Sequence, residues 1–174
     1  MNKNLKQKLN EIEEHISLTP FHRACLLTDG SLTILLEAFT NSKIKISALK
    51  QKTVFPDKKL IKELKINSDE KLNEREVILS ANEKPVVYAK SYSVISRLCD
   101  PAKTDILNTD VPIGKILKKH KVETHREITE IGMKTDTKIA GILNLTGDEI
   151  LWRSYIIIKE NLPLMMIEEY FGEI

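Results

Sequence analysis

Residues 74–92 read EREVILSANEKPVVYAKSY, and the fold follows from how this stretch is read. Glu74 to Ser80 is rich in strand formers and ends at Asn82-Glu83-Lys84, a turn. Pro85 to Tyr92 then returns, so the stretch is a β-hairpin. Outward from it the two-residue period recurs. Ile44, Ile46 and Ala48 alternate with Lys43, Lys45 and Ser47, which predicts a strand continuing to about Val54. Val122 to Gly132 reads as another strand. Glu149 to Lys159 and Leu164 to Phe171 form a final hairpin around Glu160-Asn161-Leu162-Pro163. Between these lie helical spacings. Leu5, Leu9, Ile12 and Ile16 predict an amphipathic helix over 3–17, which Pro20 ends or redirects. Short helices are expected over Phe21 to Leu27, over Leu32 to Phe39 with Ser31 as N-cap, and over Lys58 to Leu64. Asp110-Val111-Pro112 has the cap-then-proline form that opens a helix into Ile113 to Lys119. Thr137 to Leu145 is a last short helix, closed by Gly147. Strands joined by short turns imply a largely antiparallel sheet with helices packed against it. The class is α+β, and no repeat or linker divides residues 1–174, so a single domain is expected.

The 174 residues carry 27 basic and 25 acidic side chains, a formal net charge of +2, with 41% hydrophobic and 30% charged residues. That balance fits a globular domain and excludes a strongly cationic nucleic-acid binder or an acidic disordered tail. No apolar run exceeds four residues, as in Tyr155 to Ile158. A bilayer span needs about 20, so no membrane partner is expected. The opening MNKNLKQKLNEIEEH has no apolar leader core, and Cys25 and Cys99 lie far apart outside any CxxC. A cytoplasmic setting without a disulfide framework or zinc site is the expectation.

Two places break the plain pattern. Arg75 shares a strand face with Val77 and Leu79, so it points into the space those core residues occupy, or it bends out to water from the strand end. A buried guanidinium needs an anion to meet it. In the last strand Leu164, Met166, Glu168 and Tyr170 share one face, and Met165, Ile167, Glu169 and Phe171 the other. At least one of the two carboxylates must sit beside apolar surface, unless the strand lies at an edge and both reach water. An arginine and a glutamate from different hairpins, aimed at one cavity, would suit a polar anionic molecule. Other signals are weaker. His15, His22, His120 and His125 show no ligand spacing, so no metal is expected. Ser31, Ser91 and Ser154 lack a nucleophile motif, and there is no Walker loop and no GxGxxG. Lys115, Lys118, Lys119 and Lys121 read as a solvated face at a helix end, without the interleaved aromatics of a nucleic-acid surface.

Six short motifs in order carry a resemblance. They are Asp29-Gly30-Ser31-Leu32-Thr33, Arg75-Glu76-Val77-Ile78-Leu79, Pro85 through Ser93, Val111-Pro112-Ile113-Gly114, Arg126 through Gly132, and a closing pair, Arg153-Ser154 with Pro163 through Glu168. From about Leu18 to Phe171 the chain resembles the chorismate pyruvate-lyase family, most closely its archaeal-type branch. The resemblance implies a chorismate-lyase-like, UTRA-like fold with the ligand enclosed beneath flaps. It implies a cofactor-independent carbon–oxygen lyase that splits chorismate into 4-hydroxybenzoate and pyruvate, for methanopterin-type or ubiquinone-type cofactor biosynthesis. In that reading Arg75 binds the substrate carboxylate and Glu168 meets the ring hydroxyl. Leu32 and Ile113 contact the ligand through backbone, with Gly114 beside the latter. Arg126 and Lys90 complete the substrate-binding set, Lys90 standing where the best-known members have arginine. Glu169 adds a second carboxylate beside the matched one. Chorismate and 4-hydroxybenzoate are the expected partners, with no nucleic acid, and the protein is a monomer or homodimer. The alternative is a UTRA-like effector domain, which binds a small molecule without chemistry. Against it stand the charge balance and the lack of a helix-turn-helix segment ahead of the domain.

Overall fold

The computed structural model describes residues 3–108 and 111–173. Seven α-helices, a short 3-10 turn at Ile95–Arg97 and six strands are described: α1 (Lys3–Glu13), α2 (Pro20–Leu27), α3 (Leu32–Thr40), β1 (Lys45–Val54), α4 (Lys58–Leu64), β2 (Leu72–Ala81), β3 (Lys84–Val94), α5 (Asp100–Asn108), α6 (Ile113–Lys119), β4 (His125–Thr135), α7 (Thr137–Ile142), β5 (Glu149–Lys159) and β6 (Leu162–Phe171). The strands form one sheet in the order β1-β2-β3-β6-β5-β4, and every neighbouring pair is antiparallel. The α+β class and its largely antiparallel sheet with packed helices are therefore as expected.

Both tight hairpins turn on two residues with positive φ. Asn82 and Glu83 (48° and 68°) join β2 to β3, and Glu160 and Asn161 (51° and 63°) join β5 to β6. Two consecutive left-handed residues give the twist that matches the flanking strands. Differences from the sequence reading lie at element ends and in one helix. α1 stops at Glu13, because residues 14–16 close as a turn on Asn10 and Ile12. Pro20 opens α2 instead of only closing α1: it sits in the first turn, where a missing N–H costs nothing. Helix α5 was not anticipated. The expected cap at Asp110 lies outside the described residues, and Pro112 occupies the N-cap position of α6.

The register sorts side chains onto two faces. Arg75, Val77 and Leu79 of β2 oppose Ser91, Ala89 and Val87 of β3, which oppose Ile167, Glu169 and Phe171 of β6. Helices α1, α2 and α3 cover one half of this face through Leu9, Leu26, Leu32 and Leu36. Helices α5 and α6 cover the other half through Ala102, Ile106, Ile116 and Leu117. On the reverse face α4 packs on Ile156 and Met166, and α7 packs on Tyr88 and Tyr170. Between α4 and α7 that face is ionic. Among the described residues no helix is long and apolar enough to cross a membrane.

Candidate functional site

Where the two halves of the helical cover meet, they leave a cavity of about 80 Å³ over the middle of the sheet. Its walls come from both halves: Leu32, Val77, Leu79 and Ala89 on one side, Ile113, Ile157 and Ile167 on the other. The polar groups that the sheet contributes are few, one from each of five strands. Arg75 (β2), Ser91 (β3), Glu169 (β6), Tyr155 (β5) and Arg126 (β4) all line it.

Arg75 is 2% exposed. Its side chain follows the Val77–Leu79 face into the cavity wall, and Nη1 donates to the Val111 carbonyl at 3.0 Å. Glu169 is 6% exposed. Its Oε2 accepts from Arg153 Nε at 2.6 Å, and its Oε1 accepts from the Tyr155 hydroxyl at 3.0 Å. Burial alone would lower the Arg153 pKa, but the charge of Glu169 outweighs it and holds the guanidinium protonated. Burial, then the Glu169 charge, push the Tyr155 phenol up, so it stays a donor. Arg153 Nη1 also reaches the Thr28 carbonyl at 2.7 Å. That contact fixes the turn between α2 and α3, whose Gly30 and Ser31 line the cavity. Cys25 lies near this network, and burial pushes its thiol up to about 12 with opposing contributions from Arg153 and Glu169. It is an inert core thiol, not a nucleophile.

The structure brings together Arg75, Leu32, Ile113, Gly114 and Arg126 of the expected set. Glu168 and Lys90 it does not. Both lie on the reverse face, because each is one residue out of phase with the cavity-facing Glu169 and Ser91. Glu168 pairs there with Lys59 at 2.8 Å and accepts from the Tyr170 hydroxyl at 3.3 Å. Lys90 faces Glu74 and Glu76 at 4.0 and 3.8 Å and lies 5.2 Å from the Tyr92 ring centroid. The cavity carboxylate is thus Glu169, not Glu168. Arg153 and Tyr155, absent from the expected set, position it. The signal that would have found Arg153 is the one that marked Arg75: a charged residue in phase with buried positions of a strand. Among the described residues no group of histidine, cysteine and carboxylate side chains has metal-ligating geometry.

Among solved structures, the effector domain of PhnF from Mycobacterium smegmatis superposes with a TM-score of 0.68 at 12% identity, covering 84% of this chain and 91% of that one. GntR-family transcriptional regulators share the fold at 19% identity or less. These matches correct the expectation of a chorismate-cleaving carbon–oxygen lyase, and with it the assignment to cofactor biosynthesis. The architecture that was to imply catalysis is that of regulatory effector domains, and a fold carries no chemistry of its own. The glutamate assigned to the ring hydroxyl also faces away from the cavity. Descent is a separate matter. A lyase-named protein of Methanocaldococcus jannaschii, MJ0807, is 32% identical over 172 residues, 95% of this chain and 85% of the relative. A chorismate pyruvate-lyase of Mycobacterium leprae is 26% identical over 161 residues, 86% of this chain and 72% of the relative. The family model described as chorismate pyruvate-lyase Rv2949c-like matches residues 26–173. By sequence, then, the chain belongs to the Rv2949c-like chorismate pyruvate-lyase family.

Proposed function

We propose that the protein is a small-molecule-binding domain of the effector type, and that its ligand is a compact carboxylate carrying a hydroxyl. One observation carries this reading: a buried arginine and a buried glutamate line the same apolar cavity from opposite sides of the sheet midline. A planar guanidinium suits a carboxylate. Each oxygen of Glu169 already accepts one hydrogen bond from the protein. A carboxylate has about four lone-pair sites, so it retains capacity for a ligand hydroxyl. Apolar walls between the two suit a single ring. The solved effector domains of the same fold support binding as the role. 4-Hydroxybenzoate has this chemistry, and chorismate is a larger carboxylate with a ring hydroxyl. Both serve as probes.

The test is thermal. A ligand that binds only the folded state stabilises it by about 2.7 kcal/mol at a hundredfold excess over Kd. 4-Hydroxybenzoate is expected to raise Tm, and benzoate, lacking the hydroxyl, to raise it less. Chorismate incubated with the protein is expected to decay no faster than in buffer. Equal shifts for benzoate and 4-hydroxybenzoate, or none for any carboxylate, would discard the reading. Arg75→Lys keeps the charge but loses the two-pronged donor. It is expected to weaken binding by about 1.5–3 kcal/mol, measured by calorimetry.

A further inference from the structure

One side chain, that of Arg126, stands between the cavity and the surface. Ser31, Gly114 and Arg126 line the cavity, and the same three residues line an open surface groove beyond it, together with Lys118, Lys121 and Glu123. Arg126 stands on the edge strand β4 and is half-buried. Its Nη1 donates to the Asp29 carbonyl at 3.2 Å. Its Nη2 lies across Gly114, 3.4 Å from where a Cβ would stand. These are light restraints beside those on Arg153, which is fully buried and ion-paired. The groove is also charged in a particular way. Lys115 is paired with Glu37 and Lys119 with Asp105. Among the described residues, Lys118 and Lys121 are in no ion pair. Glu123 is the one carboxylate among the described residues lining the groove.

We infer that this groove is the encounter site for a small anion and that Arg126 is the gate between it and the cavity. The inference deepens the ligand-binding reading and rests on it. Free ammonium groups at a concave surface raise the local concentration of anions and speed their capture. An arriving carboxylate is a stronger acceptor than the neutral Asp29 carbonyl, so it draws the guanidinium off the α2–α3 turn and opens the wall beside Gly114. Only a side-chain rotation is needed, and the backbone of β4 stays in its ladder. Once the anion has passed inward, Arg126 returns to Asp29 and closes the wall.

The test reads access to the cavity directly. In a Cys99→Ser background of the full chain, Ser91→Cys places a thiol on the cavity wall, while buried Cys25 stays unreactive. Its modification by anionic and cationic methanethiosulfonates of similar size is timed at low salt. The anionic reagent is expected to react about tenfold faster, in line with electrostatic steering. Lys118→Glu with Lys121→Glu is expected to reverse that preference. Arg126→Gln is expected to speed both reagents several-fold, with Arg126→Lys intermediate and serving as the second variant. Rates that do not change on altering Arg126, including no reaction throughout, overturn the gate. A charge preference untouched by the lysine reversals overturns the encounter site. The Tm shift with 4-hydroxybenzoate is measured separately on the parent chain. Its absence alongside the expected labelling pattern removes the ligand reading and leaves a gated cavity. Its presence alongside labelling indifferent to Arg126 does the opposite.

Discussion

Glu168 and Glu169 are neighbours of identical chemistry, and the pleat of β6 gives them opposite surroundings. Glu168 meets the half-exposed Lys59 ammonium, a contact that solvent screens. Glu169 meets Arg153 and Tyr155 out of water, where position is held and desolvation makes every missing partner costly. Glu169→Gln is therefore expected to abolish the 4-hydroxybenzoate response in calorimetry, and Glu168→Gln to leave it within error of the parent. The reverse outcome would put the working carboxylate on the ionic face. Arg153 carries its own prediction. Arg153→Met strands the buried Glu169 charge and is expected to cost about 3–5 kcal/mol in urea unfolding. Adding Glu169→Leu removes the stranded charge, so the double variant should recover part of that loss. A double variant as unstable as the single one would mean that the Thr28 contact, not the ion pair, is what Arg153 supplies. In the sequence both glutamates alternate with apolar residues, and the pattern showed that the pair must split without showing which way. Phase against the sheet is fixed by β3 and β5 on either side, and that information is not local to β6.

At the scale of elements, the hairpins were legible because two-residue turns fix register locally, and Asn82-Glu83 and Glu160-Asn161 lie inside the expected turns. Helix α5 was not, though its cues are present in Asp100-Pro101 and in Ala102 and Ile106, four residues apart and both buried. Its short apolar stripe becomes meaningful only when packed against β5 and β6. The β1 register shift between Ala48 and Lys50 had no local mark at all. Helix α2 shows how a cap tunes an element. Thr19 accepts from the His22 N–H while His22 Nδ1 accepts from the Thr19 N–H, a capping box with histidine in the usual glutamate or glutamine place. Nδ1 accepts only when unprotonated, and burial lowers the His22 pKa below 6.5. As pH falls, the unfolded chain takes up this proton before the folded one does. The contribution of His22 is thus complete above about pH 6.5 and is lost as pH falls from there through the lowered folded value. His22→Gln keeps the acceptor and does not titrate, so its unfolding free energy should change less between pH 7.5 and pH 5 than that of the parent. Parallel pH profiles would show that the cap contributes nothing that protonation removes.

For the whole molecule, the sheet separates two kinds of polar chemistry. One face buries a few charges at the seam between two apolar clusters, and of these Arg75 and Glu169 line the cavity. The other face, between α4 and α7, carries a ladder in which Lys50 meets Glu74 at 2.8 Å and Glu76 at 3.2 Å. Burial would raise the Glu76 pKa, but the Tyr88 hydrogen bond and the Lys50 and Lys90 charges outweigh it and hold the carboxyl below 4.5. A depressed folded pKa means that the unfolded chain protonates first on acidification. The Glu76 contribution is therefore whole above about pH 4.5 and disappears as pH falls through the folded value. Glu76→Gln should be less stable than the parent at pH 7, and the two should converge in urea unfolding as pH approaches 3. Because Glu76 faces away from the cavity, 4-hydroxybenzoate affinity at pH 7 should be the same in both proteins. A loss of affinity in Glu76→Gln would mean that the two faces are coupled through the β2 backbone, and that the ionic ladder sets the position of Arg75 one residue away. Matched affinities with converging stabilities would mean that the ladder stabilises the sheet while the seam alone holds the ligand.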